Sequence, residues 1–322
     1  MLSWRPAPDW QLRLGRTNPA FFLISDYRNV SFAYPWIRPN VEFYGFSSIP
    51  HIDGIEVIRT SSDEGRHWQF KFGYGNGKAT TGNLSQTSRE PYTIETRNAM
   101  QFVVSREYNG LTLRASHQRA KIRATPSSGP LRAALAEFSQ LPIPNVAAEA
   151  AAYNEEVFED DSLQTYTSLG LLYDRNDWIV HTEASLIGSK FKKALASRRG
   201  YFTVGRRLGA ATVYFGMGRV KPEADAAQQP TNWTASLTPF VGPTNAAMIN
   251  EAGEAAANGI NELRYDQRST TLGVRWDIKP TVALNLEWSR TRIFSNGGAN
   301  WGYATSSDAR ADVIAATVSF VF

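Results

Sequence analysis

Four histidines, His51, His67, His117 and His181, and no cysteine occur in the 322 residues, which narrows the possible chemistry at once. Without a thiol there is no disulfide, no cysteine nucleophile and no thiolate metal site. A lipid hydrolase would need one of the histidines beside a serine and an orienting polar group, and none of the four sits in such a motif. His117, whose parity points to the outer face of its segment, is the one to test. No nucleotide or metal motif stands out, so neither a cofactor nor a metal is expected. What remains is a set of charges alternating with apolar residues: Arg13, Lys71, Arg114, Glu183, Arg275 and Glu287. They line a wet wall and bias which ions pass it, and the basic excess implies a mild preference for anionic solutes. Each of them is equally open to being half of an ion pair, such as Arg275 with Glu287.

The elements that carry these charges are strands. In the clearest, Trp68, Phe70, Phe72 and Tyr74 share one face while His67, Gln69, Lys71 and Gly73 share the other. Residues 312–322 alternate in the same way and end on Phe322. Successive strand side chains point to opposite faces, so such a segment can set one face in lipid and the other in water. The bulk figures agree: hydrophobic content is 42 %, mean hydropathy is −0.35, and no apolar run approaches the ~18 residues of a membrane helix. Net charge is +4, from 34 basic and 30 acidic residues, with no basic tract, so no nucleic-acid partner is expected. Connections alternate short and long, and Trp10, Trp68, Tyr173, Trp178, Trp276 and Phe322 gather beside the short ones, as an interfacial aromatic girdle would. The expected fold is all-β, a transmembrane antiparallel β-barrel of about 12 strands forming one domain over residues 1–322.

Three insertions interrupt the strands. Residues 19–50 are too aromatic for a solvated loop and, with Pro19, Pro35, Pro39 and Pro50, too proline-rich for a central strand. They are expected to fold into the barrel as a constriction loop, with Asp26, Arg28, Arg38 and Glu42 as its charges and Tyr27, Tyr34, Trp36 and Tyr44 shaping it or fixing it to the wall. Residues 123–162, with an Ala/Leu-rich piece at 131–138, and residues 221–262 are expected to be long external loops, the first partly helical. Residues 6–9, with two prolines, are expected to be a turn after the stub of a strand.

With its strands placed, the chain resembles the Gram-negative porin superfamily, the sixteen-stranded trimeric general porins. The residues that carry the resemblance are Gln11-Leu12-Arg13-Leu14-Gly15-Arg16 before the aromatic loop, Tyr34-Pro35-Trp36-Ile37-Arg38-Pro39-Asn40-Val41-Glu42 within it, Ile52-Asp53-Gly54-Ile55 after it, Thr271-Leu272-Gly273-Val274-Arg275-Trp276-Asp277, and the ending Val318-Ser319-Phe320-Val321-Phe322. The resemblance implies a water-filled channel for passive diffusion of small hydrophilic solutes or ions, without a catalytic step, in the bacterial outer membrane. It also implies outer-membrane lipid as surroundings, a homotrimer, and Phe322 as the signal read by the barrel assembly machinery. The start departs from the pattern: no signal peptide opens at Met1, and about four first strands are missing, which suggests a shortened amino-terminal part. The alternative is a true twelve-stranded barrel, closed by pairing residues 10–16 with the last strand and acting as a translocator or lipid hydrolase.

Overall fold

The structure is a computed structural model that describes residues 1–46, 49–81, 92–301 and 307–321; Phe322 lies outside them. Thirteen strands form one sheet in chain order. They are β1 (Leu2–Ala7), β2 (Trp10–Thr17), β3 (Ile52–Asp63), β4 (Arg66–Thr81), β5 (Tyr92–Tyr108), β6 (Leu111–Thr125), β7 (Ser162–Arg175), β8 (Trp178–Gly188), β9 (Ser197–Leu208), β10 (Ala211–Pro222), β11 (Tyr265–Lys279), β12 (Val282–Gly298) and β13 (Ala309–Phe320). Every neighbouring pair is antiparallel.

The amino-terminal stub is a full strand, and the expected turn at residues 6–9 is shorter. β1 runs through Pro6, with a register shift between Trp4 and Ala7, and proline is tolerated there because an edge strand at a bulge needs no ladder donor. The twelve-stranded closure is not realised: β2 is flanked by β1 and β3, so residues 10–16 have no free side to offer β13.

The burial pattern of the sheet is the reverse of a soluble protein's. Its outer face carries directly opposed apolar rungs, such as Phe215, Leu272, Trp288 and Ile314 across β10 to β13, with Ile314 77 % and Leu169 65 % exposed. The inner face buries Gln101, Arg114, Ser116, Glu183, Ser269 and Glu287. An apolar exterior over a polar interior suits hydrocarbon outside and water within. At the short-turn end the girdle has a further regularity. Trp10 lies opposite Arg59, Trp68 opposite Arg106 and Trp178 opposite Arg206, each guanidinium over the ring at 5.3–5.4 Å. Such cation–π pairs hold an amphipathic ring and a charged head together where apolar surface meets water.

At the long-loop end the two insertions fold onto each other. Residues 126–161 form α2 (Gly129–Phe138) and α3 (Pro144–Glu156), and residues 223–264 are mostly α4 (Trp233–Glu262). The Pro/Asn/Ala-rich composition concealed α4; it kinks where Gly242 takes φ 77° between Pro239 and Pro243, the residues that break a helical ladder. α1 (Val41–Tyr44) belongs to the in-folded loop. Trp233, Leu237, Leu135, Val146, Phe191 and Ile260 are fully buried between the helices and the 189–196 segment. Through this shared cluster α4 is part of a cap with α2 and α3; among the described residues no helix is long and apolar enough to cross a membrane.

Candidate functional site

The segment between β2 and β3 lies on the inner face of the sheet, and its hydrogen bonds trace its path. Gln101 of β5 accepts from Ala20 N at 3.0 Å, and Arg114 of β6 donates to Ala20 O at 3.1 Å. Ser116 of β6 and Ser168 of β7 both donate to Phe21 O. Glu183 of β8 accepts from Leu23 N at 2.7 Å. Further along, Arg275 of β11 donates to Phe32 O and Tyr34 O at 2.9 and 3.1 Å, and Glu287 of β12 accepts from Ile37 N at 3.3 Å. With Lys71 of β4 at 3.7 Å from Asp26, the loop touches one face of nearly every strand from β4 to β12. Laid flat, those nine strands would spread over roughly 38 Å; contact with one compact loop requires the sheet to curl around it.

Three buried carboxylates hold the loop. Glu183 accepts from Tyr44 OH as well as from Leu23 N, and from Tyr201 OH at 2.9 Å. Glu287 accepts from Tyr214 OH at 2.9 Å and from Ile37 N. Glu42, on the loop itself, accepts from Gln267 Nε2 at 2.8 Å and Ser269 Oγ at 2.6 Å, while Arg199 donates to its main-chain oxygen at 3.1 Å. A carboxyl group withdrawn from water is tolerable only when its oxygens are hydrogen-bonded, and each of these has at least two donors. Local structure sets them up: the Asn40 side chain caps α1 by accepting from Phe43 N, which turns Glu42 to the wall.

The aromatics pack the remaining space. Tyr34 stacks on Trp36 with centroids 5.6 Å apart, Trp36 meets His181 edge-on at 4.6 Å, and Phe22 lies 4.5 Å from Tyr44. Burial, then the neighbouring Tyr201 and Glu183, raises the Tyr44 phenol well above its ordinary value. Burial with Glu183 and Asp26 nearby pushes Tyr27 up to about 12. Both phenols are therefore neutral at neutral pH.

Every wall charge read from parity faces inward, and the structure adds the partners. Arg13 lies 3.1 Å from Glu56, and Lys71 lies 3.7 Å from both Glu56 and Asp26. Arg275 pairs with Asp277 at 2.8 Å instead of Glu287. Glu183, Glu287, Arg114 and Arg275 are all bonded to the loop. Of the loop residues, Glu42, Tyr34, Trp36 and Tyr44 are buried against the wall, Tyr27 and Arg28 are half-buried, and Asp26 and Arg38 are exposed. Sequence reasoning passed over Gln101, Arg199, Tyr201, Gln267 and Ser269. All sit at inward parity, which was the available signal. The histidines are scattered: His117 bonds Thr167 on the outer face at 2.9 Å, His67 bonds Ser62 at 2.8 Å, and His181 is buried under Trp36. Among the described residues no cluster of histidine and carboxylate side chains could hold a metal.

No protein-family model matches the sequence, and no curated protein matches it. Solved structures do. The anion-selective porin from Comamonas acidovorans, 10 % identical, superposes with a TM-score of 0.51 over 97 % of this chain and 74 % of its own. The fold is that of a porin. OmpT of Vibrio cholerae, 8 % identical, covers 98 % of this chain and 78 % of its own at a TM-score of 0.49. Salmonella typhi OmpF, 9 % identical, covers 96 % and 74 % at 0.47. A porin fold with an apolar exterior is that of an outer-membrane β-barrel.

Proposed function

We propose that the protein is an outer-membrane diffusion channel for small hydrophilic solutes, without a catalytic step, whose passage is narrowed by residues 19–46. The observation that carries this reading is the docked loop: fixed to the wall by Glu183, Glu287 and Glu42, it leaves Asp26, Arg28 and Arg38 on its remaining surface. Charges at a constriction act at short range with little screening. Because the wall acids Glu183 and Glu287 are consumed by loop hydrogen bonds, the accessible balance is Arg28 and Arg38 against Asp26, which itself lies near Lys71. A mild preference for anions follows. By the resemblance, the assembled form is a homotrimer inserted by the barrel assembly machinery.

The experiment is a reversal-potential measurement on purified protein in planar bilayers across a tenfold KCl gradient. The expected polarity is that of anion preference, moving towards cations in an Arg28→Glu/Arg38→Glu variant. No conductance at all would remove the channel reading; cation preference in the unaltered protein would remove only the selectivity.

A further inference from the structure

Between the in-folded loop and the wall of β9 to β12 lies a pocket to which passive conduction gives no role. Two neighbouring inward rungs form its floor. One runs through Thr203, Gly216, Thr271 and Ser289 across the four strands, and the next through Tyr201, Gly218, Ser269 and Thr291. Trp36 and Tyr44 line it from the loop, with the exposed Arg38 beside them. About 60 Å³ is open to the centres of water-sized molecules. One water needs roughly 10–15 Å³ on that measure, so there is room for about four to six.

The glycines of the floor differ in what covers them. A Cβ on Gly218 would come within 2.6 Å of the Glu42 carboxylate, so the loop is packed against it. On the rung beyond Gly216, Gly273 lies under the Tyr214 ring, whose hydroxyl reaches Glu287 at 2.9 Å. Gly216 stands between these two, and the atoms nearest to a Cβ there all belong to the wall, Thr203 Oγ1 at 3.2 Å being the first. It leaves a gap in the side-chain layer.

The polar groups around the gap are unspent. The hydroxyls of Thr203, Thr271, Ser289 and Thr291 make no hydrogen bond to another described residue, although Ser289 is only 8 % exposed. Glu287 takes the donors Tyr214 OH and Ile37 N on the same oxygen, Oε2, and no described residue donates to its Oε1. Glu42, by contrast, has both oxygens occupied, by Gln267 and Ser269. Buried polar groups are costly to leave unpaired.

Their chemistry selects the ligand. A hydroxyl donates and accepts, whereas a carboxylate only accepts, so the ligand must donate at Glu287 and exchange both roles along the rung. An anionic solute would meet the charge of Glu287 and Glu42, and a metal ion would find one free carboxylate oxygen where it needs several. A chain of carbinol groups suits every position, each group displacing roughly one water, with its C–H edges towards Trp36 and Tyr44.

We propose that this pocket binds a short neutral polyol of about three or four carbons, held by the hydroxyls of Thr203, Thr271 and Ser289 and by Glu287 Oε1, with its carbon chain over Gly216. The site rests on the channel reading for the entry of that solute, and it gives the solute a chemical class.

The test uses the full chain in amphipol, with binding of meso-erythritol followed by saturation-transfer NMR. Butane-1,4-diol, of equal carbon number but without the inner hydroxyls, is the comparison probe. The expected result is saturable erythritol binding on the order of millimolar. It should be roughly tenfold weaker for the diol and in Thr271→Val/Ser289→Ala, each of which removes two hydrogen bonds, and near wild type in Thr271→Ser. Binding should vanish in Gly216→Val, whose side chain fills the gap and is of a type favoured in strands. Heat-modifiable gel migration, which reports the folded barrel, identifies any variant that fails to fold. A signal that does not saturate, equal binding of the diol, undiminished binding in either folded variant, or competition by glutarate as effective as by erythritol would each overturn the proposal. Conductance in KCl is read on the same preparation. Protein that binds erythritol yet does not conduct would sink the channel reading and leave the pocket's ligand standing; protein that conducts yet binds no erythritol would sink only the latter.

Discussion

At the scale of single residues, Glu183 is the clearest point of leverage. Its three donors, Leu23 N, Tyr44 OH and Tyr201 OH, would all lose their acceptor in Glu183→Ala, a cost of about 2–3 kcal/mol borne by loop docking rather than by the strand ladder. The expected outcome is larger, noisier single-channel conductance with unchanged heat-modifiable migration. Unchanged conductance would mean that the loop is held without it. Glu183→Gln retains an acceptor and should fall between the two. Parity alone revealed that Glu183, Glu287, Arg114 and Arg275 face inward, because a strand's two-residue period is local. Their bonding to the loop was not legible: Tyr44 and Glu183 are 139 residues apart, and no local pattern encodes a contact made by the curl of the whole sheet.

At the scale of elements, the cap is the separable part. Gly253 of α4 lies where an added Cβ would come within 2.7 Å of the Trp233 ring. Gly253→Ala should therefore overpack the cap, at about 1–3 kcal/mol, and speed trypsin cleavage within 126–161 and 223–264 while the strands stay resistant. The cap is also pinned by Glu159, whose hydrogen bond from Lys190, with Arg132 nearby, holds its carboxyl below the ordinary range. A depressed carboxylate contributes stability above its unfolded pKa, and loses it as pH falls through the folded value. Cleavage of the 189–196 segment by pepsin should accordingly rise with acidification, and less so in Glu159→Gln, which has no proton to gain. The Ala/Leu-rich run made α2 visible in advance. α4 was hidden because its kink residues, Pro239, Gly242 and Pro243, are those by which a loop is recognised.

At the scale of the molecule, the ladder predicts a gradient of protection. β1 and β13 each pair on one side among the described residues, whereas β5 to β11 pair on both and back onto the loop. Hydrogen exchange in detergent should be fast along β1 and β13 and slowest from β6 to β10; uniform protection would show the sheet edges to be covered in solution. The in-folded loop has a further consequence in mechanical terms. It leaves β2 at Thr17, returns to β3 at Ile52, and between those points grips β8, β11 and β12. It is thus a tie-rod, carrying load between β8 and the β11–β12 pair, which share no ladder with it. Lateral pressure that would flatten the curled sheet must stretch this tie first, so the width across it is held by tension in the loop as well as by the ladder between neighbouring strands.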